Sequence, residues 1–464
     1  MASSRKLRLV NLTERVAALI APRLPAHSSI LIGLSGGVDS VVLLHLLHKL
    51  SARYSWQLSA LHVHHGISPN ADAWSDFCAD LCASLHISLH IERVDIAPLR
   101  EHGIEAAARK LRHAAFAEQS CDFVALAHHS DDQAETLLLQ LLRGAGVRGA
   151  SAMPQFTERP DSVPLVRPLL HSSRQEILDY ATANQLHWIE DESNADDSYP
   201  RNFLRHRVLP LVGERFPAYR DTLGRSAQHF AEANDLLEDL ARLDAPNLLP
   251  PTRLESGQGQ DMTLEVSLLQ SLSLPRAKNL LRYFLHCAGA PMPQAVQLND
   301  MLQQLCDARQ DAAVCVNYSD WQVRRYRGKV YVLHALGDFD RGVVMPWNGE
   351  AELIWPALNV LLCFDRKQHP PRDAKGSSAI SLAKLQLAPV TLRLRRGGES
   401  MRPHPDAATR SLKNLLQEYR IPPWQRDRLP LLYCGDELVC VPGVSVAADF
   451  LPDKGEVEVR FSMR

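Results

Sequence analysis

Short apolar runs alternate with amphipathic stretches over the first ~190 residues. The apolar runs predict four buried strands, at 30–34, 58–64, 88–94 and 123–127. Between them the apolar positions recur with helical spacing, which predicts helices near 38–49, 73–85, 105–119 and 131–142. This alternation is typical of a parallel sheet covered by helices on both faces, a doubly wound, Rossmann-like α/β domain.

The pattern changes after this first region. A single long helix is predicted over 222–243, and the turn-rich stretch 246–261 indicates a break. A mainly helical region follows and ends in an alternating run at 321–333, which predicts a β-hairpin. A second linker at 369–378 precedes a mixture of short strands and one helix. We therefore predict a catalytic α/β domain, a mainly helical middle domain and a small α+β C-terminal domain, at 1–220, 221–340 and 341–464.

Composition and charge narrow the classes of protein. The chain has 464 residues, of which 45% are hydrophobic and 22% charged, as in a globular protein with a sizeable core. Its net charge of −2 gives no global basic field, so a nucleic acid would be held by local patches. No apolar run approaches the ~18 residues of a membrane span, and we expect no signal peptide. Nine cysteines without a CxxC motif predict reduced thiols in a cytoplasmic protein.

The segment 35–40, Ser-Gly-Gly-Val-Asp-Ser, lies between the first strand and the first helix. Unpaired backbone N–H groups and the helix dipole favour negative charge there, so the segment is suited to phosphate. It is not a GxxxxGK[ST] loop, because no lysine follows the second glycine. The Asp39 carboxylate would repel a polyphosphate unless a divalent cation lay between them, which predicts Mg²⁺.

Two further polar segments follow strands of the predicted sheet. His65 and Gly66 come after the second strand, where they either end it in buried positions or line a nucleotide pocket. Asp132 and Glu135 come after the fourth strand and share one face of a helix, since they are three residues apart. Acidic residues in a first turn ordinarily complement the helix dipole, which accounts for Asp131. If the strand ends converge, Asp132 meets Asp39 across one Mg²⁺.

These segments resemble the N-type ATP pyrophosphatases, or PP-loop enzymes, which split ATP into AMP and pyrophosphate while adenylating a substrate. The resemblance includes the loop at 35–40, the His-His-Ser-Asp-Asp-Gln-Ala-Glu-Thr block at 128–136 and the Gly-Ile-Glu-Ala-x-x-Arg helix at 103–109. Arg109 then neutralises phosphate or a substrate carboxylate, although a surface salt bridge with Glu105 is equally open. The resemblance implies an ATP site formed by Ser35, Gly36, Gly37, Val38, Asp39, Ser40, His65, Gly66, His129, Arg143 and Gly144.

The segment 191–207 discriminates among the PP-loop enzymes. Its Asp-x-Ser-Asn and Tyr-x-Arg-Asn pattern is similar to the signature of tRNA(Ile)-lysidine synthases, and 392–399 resembles the C-terminal domain of their longer members. The family ligates free L-lysine to C2 of the wobble cytidine, position 34, of tRNA(Ile) with a CAU anticodon. An adenylated cytidine is the intermediate, and the products are lysidine, AMP and pyrophosphate. The change converts codon specificity from AUG to AUA and amino-acid identity from methionine to isoleucine.

The resemblance also implies residue roles. The catalytic residues are Asp39, Asp132, Glu135 and Arg109, with Mg²⁺ on Asp39 and Asp132. Both accessory domains recognise tRNA, and the tRNA-binding residues are Arg201, Arg205, Arg207, Arg324, Arg325, Arg395 and Arg396. The arginines of the hairpin contact phosphate or form a solvated face, and the sequence leaves both open.

Two other functions compete with this one. A tRNA thiolase would need reactive cysteines or a cluster, and the lack of CxxC weighs against it. A non-catalytic tRNA-binding protein would not need the intact loop. Whether Glu135 binds or deprotonates the lysine amine, which residues hold the lysine carboxylate, and whether the chain forms a homodimer are left open.

Overall fold

The computed structural model describes residues 11–66, 68–96, 104–158, 163–248, 262–309, 312–335, 337, 339–358, 360–367, 379–453 and 456–463. The chain divides into two compact units, Met1–Leu237 and Glu238–Arg464. The three-domain division with boundaries at 220 and 340 stays a prediction. The two linkers predicted at 246–261 and 369–378 lie mostly outside the described residues.

A six-stranded sheet with the order β3-β2-β1-β4-β6-β5 forms the centre of the first unit. Its strands are β1 (Ser29–Gly33), β2 (Gln57–His64), β3 (Ser88–Arg93), β4 (Phe123–Ala125), β5 (Phe156–Thr157) and β6 (Leu165–Val166). The helices of this unit are α1 (Leu12–Ile20), α2 (Val38–Tyr54), α3 (Ala71–Ser84), α4 (Ile104–Ala117), α5 (Ser130–Leu142), α6 (Val147–Ala150), α7 (Arg174–Ala183), α8 (Pro200–Phe203), α9 (Leu209–Arg215) and α10 (Tyr219–Asp244), the last of which continues into the second unit. A 3₁₀ turn spans Glu192–Ala195, and a π-helical turn at Leu204–Val208 joins α8 to α9.

The strand order places the functional segments. β1 pairs in parallel with β2 on one side and with β4 on the other. The chain therefore reverses its winding direction at the β1–β4 pair, and ligands of such sheets bind beyond the carboxyl ends of the strands at this point. The loop after β1 and the polar block after β4 become neighbours for this reason, although ~90 residues separate them in the sequence.

The hydrophobic pattern explains why β1 is central. Ile30, Leu31 and Ile32 are all buried, as expected of a strand covered on both faces. The four strands and four helices predicted between 30 and 142 are confirmed to within a few residues. The short strands β5 and β6 were not predicted, because two residues are too few to show a period.

Two sheet-containing hydrophobic cores make up the second unit. The first core combines α11 (Val266–Ser271), α12 (Leu274–Cys287) and α13 (Ala295–Asp307) with a sheet of order β7-β10-β9-β8. The strands of that sheet are β7 (Thr263–Glu265), β8 (Cys315–Tyr318), β9 (Trp321–Tyr326) and β10 (Lys329–His334). The predicted hairpin is confirmed as β9 and β10, and it turns through positive φ angles at Arg327 and Gly328.

The second core is richer in strands than the sequence suggested. It contains sheets of order β11-β15-β18-β19-β20 and β12-β13-β21-β14, and a small β16-β17 pair. The strands are β11 (Val344–Trp347), β12 (Glu352–Trp355), β13 (Val360–Lys367), β14 (Ala379–Ser381), β15 (Val390–Arg393), β16 (Ser400–Met401), β17 (Arg410–Ser411), β18 (Leu431–Cys434), β19 (Glu437–Val441), β20 (Ser445–Val446) and β21 (Glu458–Met463). The accompanying helices are α14 (Leu382–Leu385), α15 (Leu412–Glu418) and α16 (Pro423–Arg426), with 3₁₀ turns at Pro356–Leu358 and Ala448–Phe450. The predicted fold class is confirmed. None of the helices in the described part of the chain has both the length and the apolar character that spanning a membrane requires.

Candidate active site

The loop at 35–40 presents backbone N–H groups at the start of α2. Gly37 is the N-cap residue of this helix. Because glycine has no side chain that could cap the helix, the first amides of the helix are left for a ligand. The two serines hold the loop in shape: Ser40 Oγ accepts from the backbone N–H of Ser35 at 3.2 Å and donates to the Gly37 carbonyl at 2.9 Å. Their hydroxyl groups lie 3.2 Å apart. The serines therefore organise the loop as well as offering donors to a phosphate.

Gly36 is a position that only glycine fits well. Its φ is +87°, and a Cβ atom built there would lie 2.7 Å from the Cδ1 of Ile189. The Gly36 carbonyl also accepts a hydrogen bond from the backbone N–H of Ile189 at 2.9 Å. Ile189, just before the 191–207 signature, thus holds the phosphate loop in place through this hydrogen bond and its side chain.

Gly36→Ala should therefore reduce stability by about 1–3 kcal/mol and raise the KM for ATP roughly 10- to 100-fold, because left-handed strain and the Ile189 clash both move the loop. Gly144→Ala is the matched control, since Gly144 has a φ of +70° but nothing within 4 Å of an added Cβ. We expect the control to lose some stability without changing the KM for ATP. Thermal unfolding and steady-state kinetics check both variants, and an unchanged KM in Gly36→Ala would contradict the assigned role of the loop.

Asp39 and Asp132 converge on one imidazole ring. His129 Nε2 lies 3.7 Å from Asp39 Oδ2 and 3.5 Å from Asp132 Oδ2, so these two carboxylate oxygens are at most about 7 Å apart. Burial by itself lowers the pKa of His129, but the carboxylates of Asp39 and Asp132 outweigh it and raise this pKa above its ordinary value. Burial likewise opposes ionisation of Asp132, yet the charges of His129 and Arg201 hold the pKa of Asp132 below its usual range.

Two arginines neutralise the second carboxylate of this helix. The side chain of Glu135 is only 1% exposed, and it accepts hydrogen bonds from Arg201 Nε at 2.8 Å and from Arg205 Nε at 2.6 Å. Both guanidinium groups also reach Asp132 Oδ1, at 2.9 and 3.3 Å. The four side chains form a cluster with no net charge.

This cluster changes the role of two predicted tRNA contacts. The side chains of Arg201 and Arg205 are 23% and 24% exposed, and they face the carboxylates rather than open solvent. The π-helical turn that begins at Leu204 lies within this segment, and such turns are frequent at functional sites. The positions of Arg201 and Arg205 favour a role inside the catalytic site. They do not support a contact to the phosphate backbone of tRNA. Arg207 is 69% exposed and pairs with Asp197 at 2.7 Å.

A cavity of about 530 Å³ connects these elements. Its walls include these predicted site residues: Ser35, Asp39, Ser40, His65, Gly66, Asp132, Arg201 and Arg205. Glu135 lies beneath the wall, covered by the arginines. The structure does not bring Arg143 and Gly144 to the cavity, because they follow the far end of α5, about 17 Å along the helix axis from Asp132.

The three histidines of the cavity wall that have lowered pKa values differ in what they contact. His62 Nδ1 contacts the Leu34 carbonyl at 2.9 Å, so this residue is structural. Burial lowers the pKa of His65 to about 4 and the pKa of His128 to about 3, so both rings are neutral at pH 7. Each has a buried Nδ1 without a hydrogen-bond partner among the described residues. Neutral rings of this kind suit an uncharged base or ribose.

Sequence reasoning missed several residues of the wall. Trp74 belongs to α3 and reads in the sequence as part of an amphipathic helix, so no signal marked it. His128 stood beside His129, but nothing in the sequence distinguished which ring would face the cavity. Tyr199 and Asn202 belong to the 191–207 signature, and that pattern could have identified them. The Glu105 side chain lies outside the described residues. Arg109 is exposed, and its positive charge contributes to lowering the pKa of His128.

The arginines predicted to bind tRNA in the second unit have different environments. Arg325 is buried and donates to the carbonyls of Leu305 and Ala308 at 2.7 and 2.8 Å, at the end of α13. This position satisfies unpaired helix carbonyls and does not support the tRNA contact predicted for Arg325. Arg395 lies 3.7 Å from Glu399, whereas Arg396 is exposed.

The aromatic face of the hairpin packs against α16 of the second core. The rings of Tyr326 and Tyr331 lie 6.1 and 5.2 Å from the ring of Trp424 in α16, and the Arg324 guanidinium lies 5.2 Å above the Trp424 ring. Arg426 donates to the Tyr326 hydroxyl at 3.0 Å. These side chains join the two hydrophobic cores of the second unit, and the tRNA contact of Arg324 stays a prediction.

Trp424→Ala should destabilise the second unit by about 2 kcal/mol, because the ring packs against two tyrosines and an arginine but is only half-buried. Thermal unfolding measures this loss. Tyr419→Ala removes an aromatic side chain of the same unit that is 50% exposed, and we expect it to stay within about 0.5 kcal/mol. Equal stability of the two variants would show that the hairpin does not depend on Trp424.

The cysteines carry none of this chemistry. All nine are free, as predicted. The pKa of Cys78 is raised to about 12 by burial, and that of Cys82 to about 11, so neither thiol ionises at neutral pH.

A phosphate-binding loop at the switch point of a doubly wound sheet, with two carboxylates facing it, defines a nucleotide-binding enzyme of the PP-loop class. Residues 9–212 match the model of the PP-loop domain. Residues 264–331 match the TilS substrate binding domain, and residues 390–463 match the TilS substrate C-terminal domain.

Curated relatives narrow the class to one family. The tRNA(Ile)-lysidine synthase of Nitrosomonas europaea is 41% identical over 98% of this chain and 96% of its own length. Those of Coxiella burnetii and an Azoarcus species are 38% and 41% identical over 93% and 95% of this chain and 92% of each relative. The chain belongs to the tRNA(Ile)-lysidine synthase family.

Proposed function

We propose that this chain ligates free L-lysine to C2 of the wobble cytidine of tRNA(Ile) with a CAU anticodon and consumes ATP. Membership of the tRNA(Ile)-lysidine synthase family supports the overall reaction. The phosphate loop and the carboxylates beside it support the adenylation chemistry. The observation that carries the proposal is the convergence of Asp39 and Asp132 on one side chain beside the phosphate loop. The reaction needs a phosphate site and an ammonium site within reach of one base, and the cavity is lined by the phosphate loop and by the Asp132 carboxylate.

The first half-reaction activates the base. The C2 carbonyl oxygen of the cytidine forms a bond to the α-phosphorus of ATP, the α–β anhydride bond breaks, and pyrophosphate leaves. The amides of the first turn of α2 would stabilise the charge that develops on the departing phosphates. Neutral His65 and Gly66 line the same cavity at the end of β2, where the adenosine would lie.

A divalent cation fits this loop. Asp39 Oδ1 is buried without a hydrogen-bond partner among the described residues, and Asp39 Oδ2 lies 3.7 Å from His129 Nε2. Asp39 and Asp132 would hold Mg²⁺, which usually takes one or two carboxylates together with substrate phosphates. When bound, the ion offsets negative charge on the triphosphate.

The second half-reaction transfers lysine. The ε-amine of lysine bonds to C2, the C2–oxygen bond breaks, AMP leaves with the oxygen, and the amine loses protons. An ammonium ion is not nucleophilic, so a carboxylate is needed to bind it and accept a proton. Asp132 lines the cavity and is within reach. Glu135 meets the amine only if Arg201 or Arg205 moves, and otherwise it acts by holding both guanidinium groups.

Selection of the tRNA requires contacts outside the anticodon, because a methionine tRNA can present the same triplet. The second unit contains the two regions that match substrate-domain models. Exposed Arg396 in this unit and exposed Arg207 in the first unit are the predicted contacts that the structure leaves accessible. Arg109, also exposed, stays a candidate for phosphate or the lysine carboxylate.

Mass spectrometry of the wobble nucleoside tests the proposal. Purified protein is incubated with a CAU-anticodon tRNA(Ile) transcript, ATP, Mg²⁺ and lysine, and we expect the cytidine to gain one lysine residue. A thiolase would ignore lysine, and a pure binding protein would release no pyrophosphate. An unchanged cytidine under these conditions would count against the proposal.

A further inference from the structure

The cavity wall offers two aromatic rings that are not part of a hydrophobic core. Among the described residues that line it, Phe116 is buried in the core, whereas Trp74 and Tyr199 are half-buried. An aromatic face is the feature with which proteins hold an unstacked base.

The two rings belong to different walls. Trp74 is on α3, which follows His65 and Gly66 at the end of β2. Tyr199 is the N-cap residue of α8, two residues before Arg201, whose guanidinium binds Asp132 and Glu135. Trp74 is therefore on the adenosine side of the cavity, and Tyr199 is on the carboxylate side. A hydrogen bond from Asn70 to Glu192 joins these two walls.

The chemistry selects the carboxylate side. In the proposed reaction the C2 carbonyl oxygen must reach the α-phosphorus, and C2 must then accept the lysine nitrogen. The cytidine therefore lies between the phosphate loop and the Asp132 carboxylate. We propose that Tyr199 is the stacking platform for the unstacked wobble cytidine, an inference that rests on the proposed function.

The backbone around Tyr199 is fixed before any substrate arrives. Asp196 Oδ1 accepts from the backbone N–H of Ser198 at 2.9 Å, and the Asp196 carbonyl accepts from the Asn202 side chain at 2.9 Å. Pro200 starts α8 directly after the tyrosine, and the Tyr199 carbonyl accepts from the N–H of Phe203 at 3.0 Å. A platform held in this way needs little ordering when the base arrives, which favours extrusion of the base from the anticodon loop.

Single-turnover transfer of AMP to the CAU-anticodon transcript, measured with labelled ATP in the absence of lysine, tests the platform. Tyr199→Leu should slow this transfer roughly 10- to 100-fold, the range that corresponds to base–aromatic stacking. Tyr199→Phe keeps the ring and should stay within about threefold of the parent rate. Phe203→Leu is the matched control: it removes an exposed aromatic ring from the same short helix, and we expect the parent rate.

Binding measurements distinguish a loss of base stacking from a general loss of ligand binding. The affinities of Tyr199→Leu for MgATP and for the whole transcript should each stay within about threefold of those of the parent, because the loop and the second unit are untouched. A transcript with pyrrolocytidine at the wobble position reports stacking directly, and its fluorescence should be quenched by the parent protein and by Tyr199→Phe but not by Tyr199→Leu.

The proposal is overturned if Tyr199→Leu transfers AMP at the parent rate, or if Tyr199→Phe is as slow as Tyr199→Leu. Loss of MgATP binding in Tyr199→Leu would also overturn it, since the residue would then belong to the nucleotide site. If the parent protein itself transfers no AMP to the transcript, the proposed function fails. A fast parent with an equally fast Tyr199→Leu rejects the platform alone.

Discussion

Asp132→Asn is expected to reduce lysidine formation by at least about 10³-fold while tRNA affinity stays within about threefold. The carboxylate faces His129 and accepts from Arg201 and Arg205, so its removal leaves both guanidinium groups and the imidazole with one acidic partner fewer. Asp39→Asn should have an effect of similar size, because it removes the other carboxylate that faces His129.

Single-turnover kinetics and a filter-binding measurement check this pair of variants. Asp122→Asn is the matched control, because Asp122 lies at the opposite edge of the same sheet. Its Oδ2 accepts a hydrogen bond from the backbone N–H of Ser29 at 2.7 Å. We expect it to lose some stability and to keep its activity within about twofold. If Asp39→Asn and Asp132→Asn both retain lysine-dependent turnover near the parent level, the assignment of Mg²⁺ to these carboxylates is wrong.

Glu135→Gln should separate the two half-reactions. The cluster of Asp132, Glu135, Arg201 and Arg205 carries no net charge, and the substitution gives it a charge of about +1. An excess cation repels the lysine ammonium whether Glu135 touches the amine or only holds the arginines. We therefore expect transfer of lysine to fall at least about 100-fold, adenylation of the tRNA to change less than about fivefold, and the adenylated tRNA to accumulate.

The same substitution should reduce stability by about 3 kcal/mol, because both guanidinium groups lose a buried charged partner. Glu176→Gln is the control: Glu176 pairs with Arg15 at 2.6 Å but is 42% exposed, and glutamine preserves the capping box of α7. Thermal unfolding and separate assays of adenylation and lysine transfer check both variants. Equal loss of both half-reactions in Glu135→Gln would show that the residue supports the whole site rather than lysine transfer.

Local patterns predicted much of the architecture and part of the site. The strands and helices between residues 30 and 142 follow from hydrophobic periodicity, and the phosphate loop follows from two glycines between a strand and a helix. The hairpin at 321–334 followed from alternation and a turn. Local patterns did not predict the short strands β5 and β6 or the number of strands in the second core. Brief segments of this kind depend on partners far away in the sequence.

The arginines show where local patterns stop. Arg201, Arg325 and Arg396 look alike in the sequence, yet the first binds the carboxylate of Asp132, the second caps a helix inside a core, and the third is exposed. A guanidinium group is suited equally to carboxylate, carbonyl and phosphate oxygens, so its residue type does not select the partner. Partners such as Glu135, 66 residues from Arg201, become visible only after folding.

The sequence by itself determined the class of fold, the phosphate loop and the family, because these depend on residues that are near one another along the chain. Tertiary structure alone decided that Asp39 and Asp132 share one neighbour, that two signature arginines face inward and that Trp424 covers the hairpin. The physical reason is the strand order: pairing β1 with β4 brings distant segments to one edge of the sheet, and no local pattern encodes that pairing.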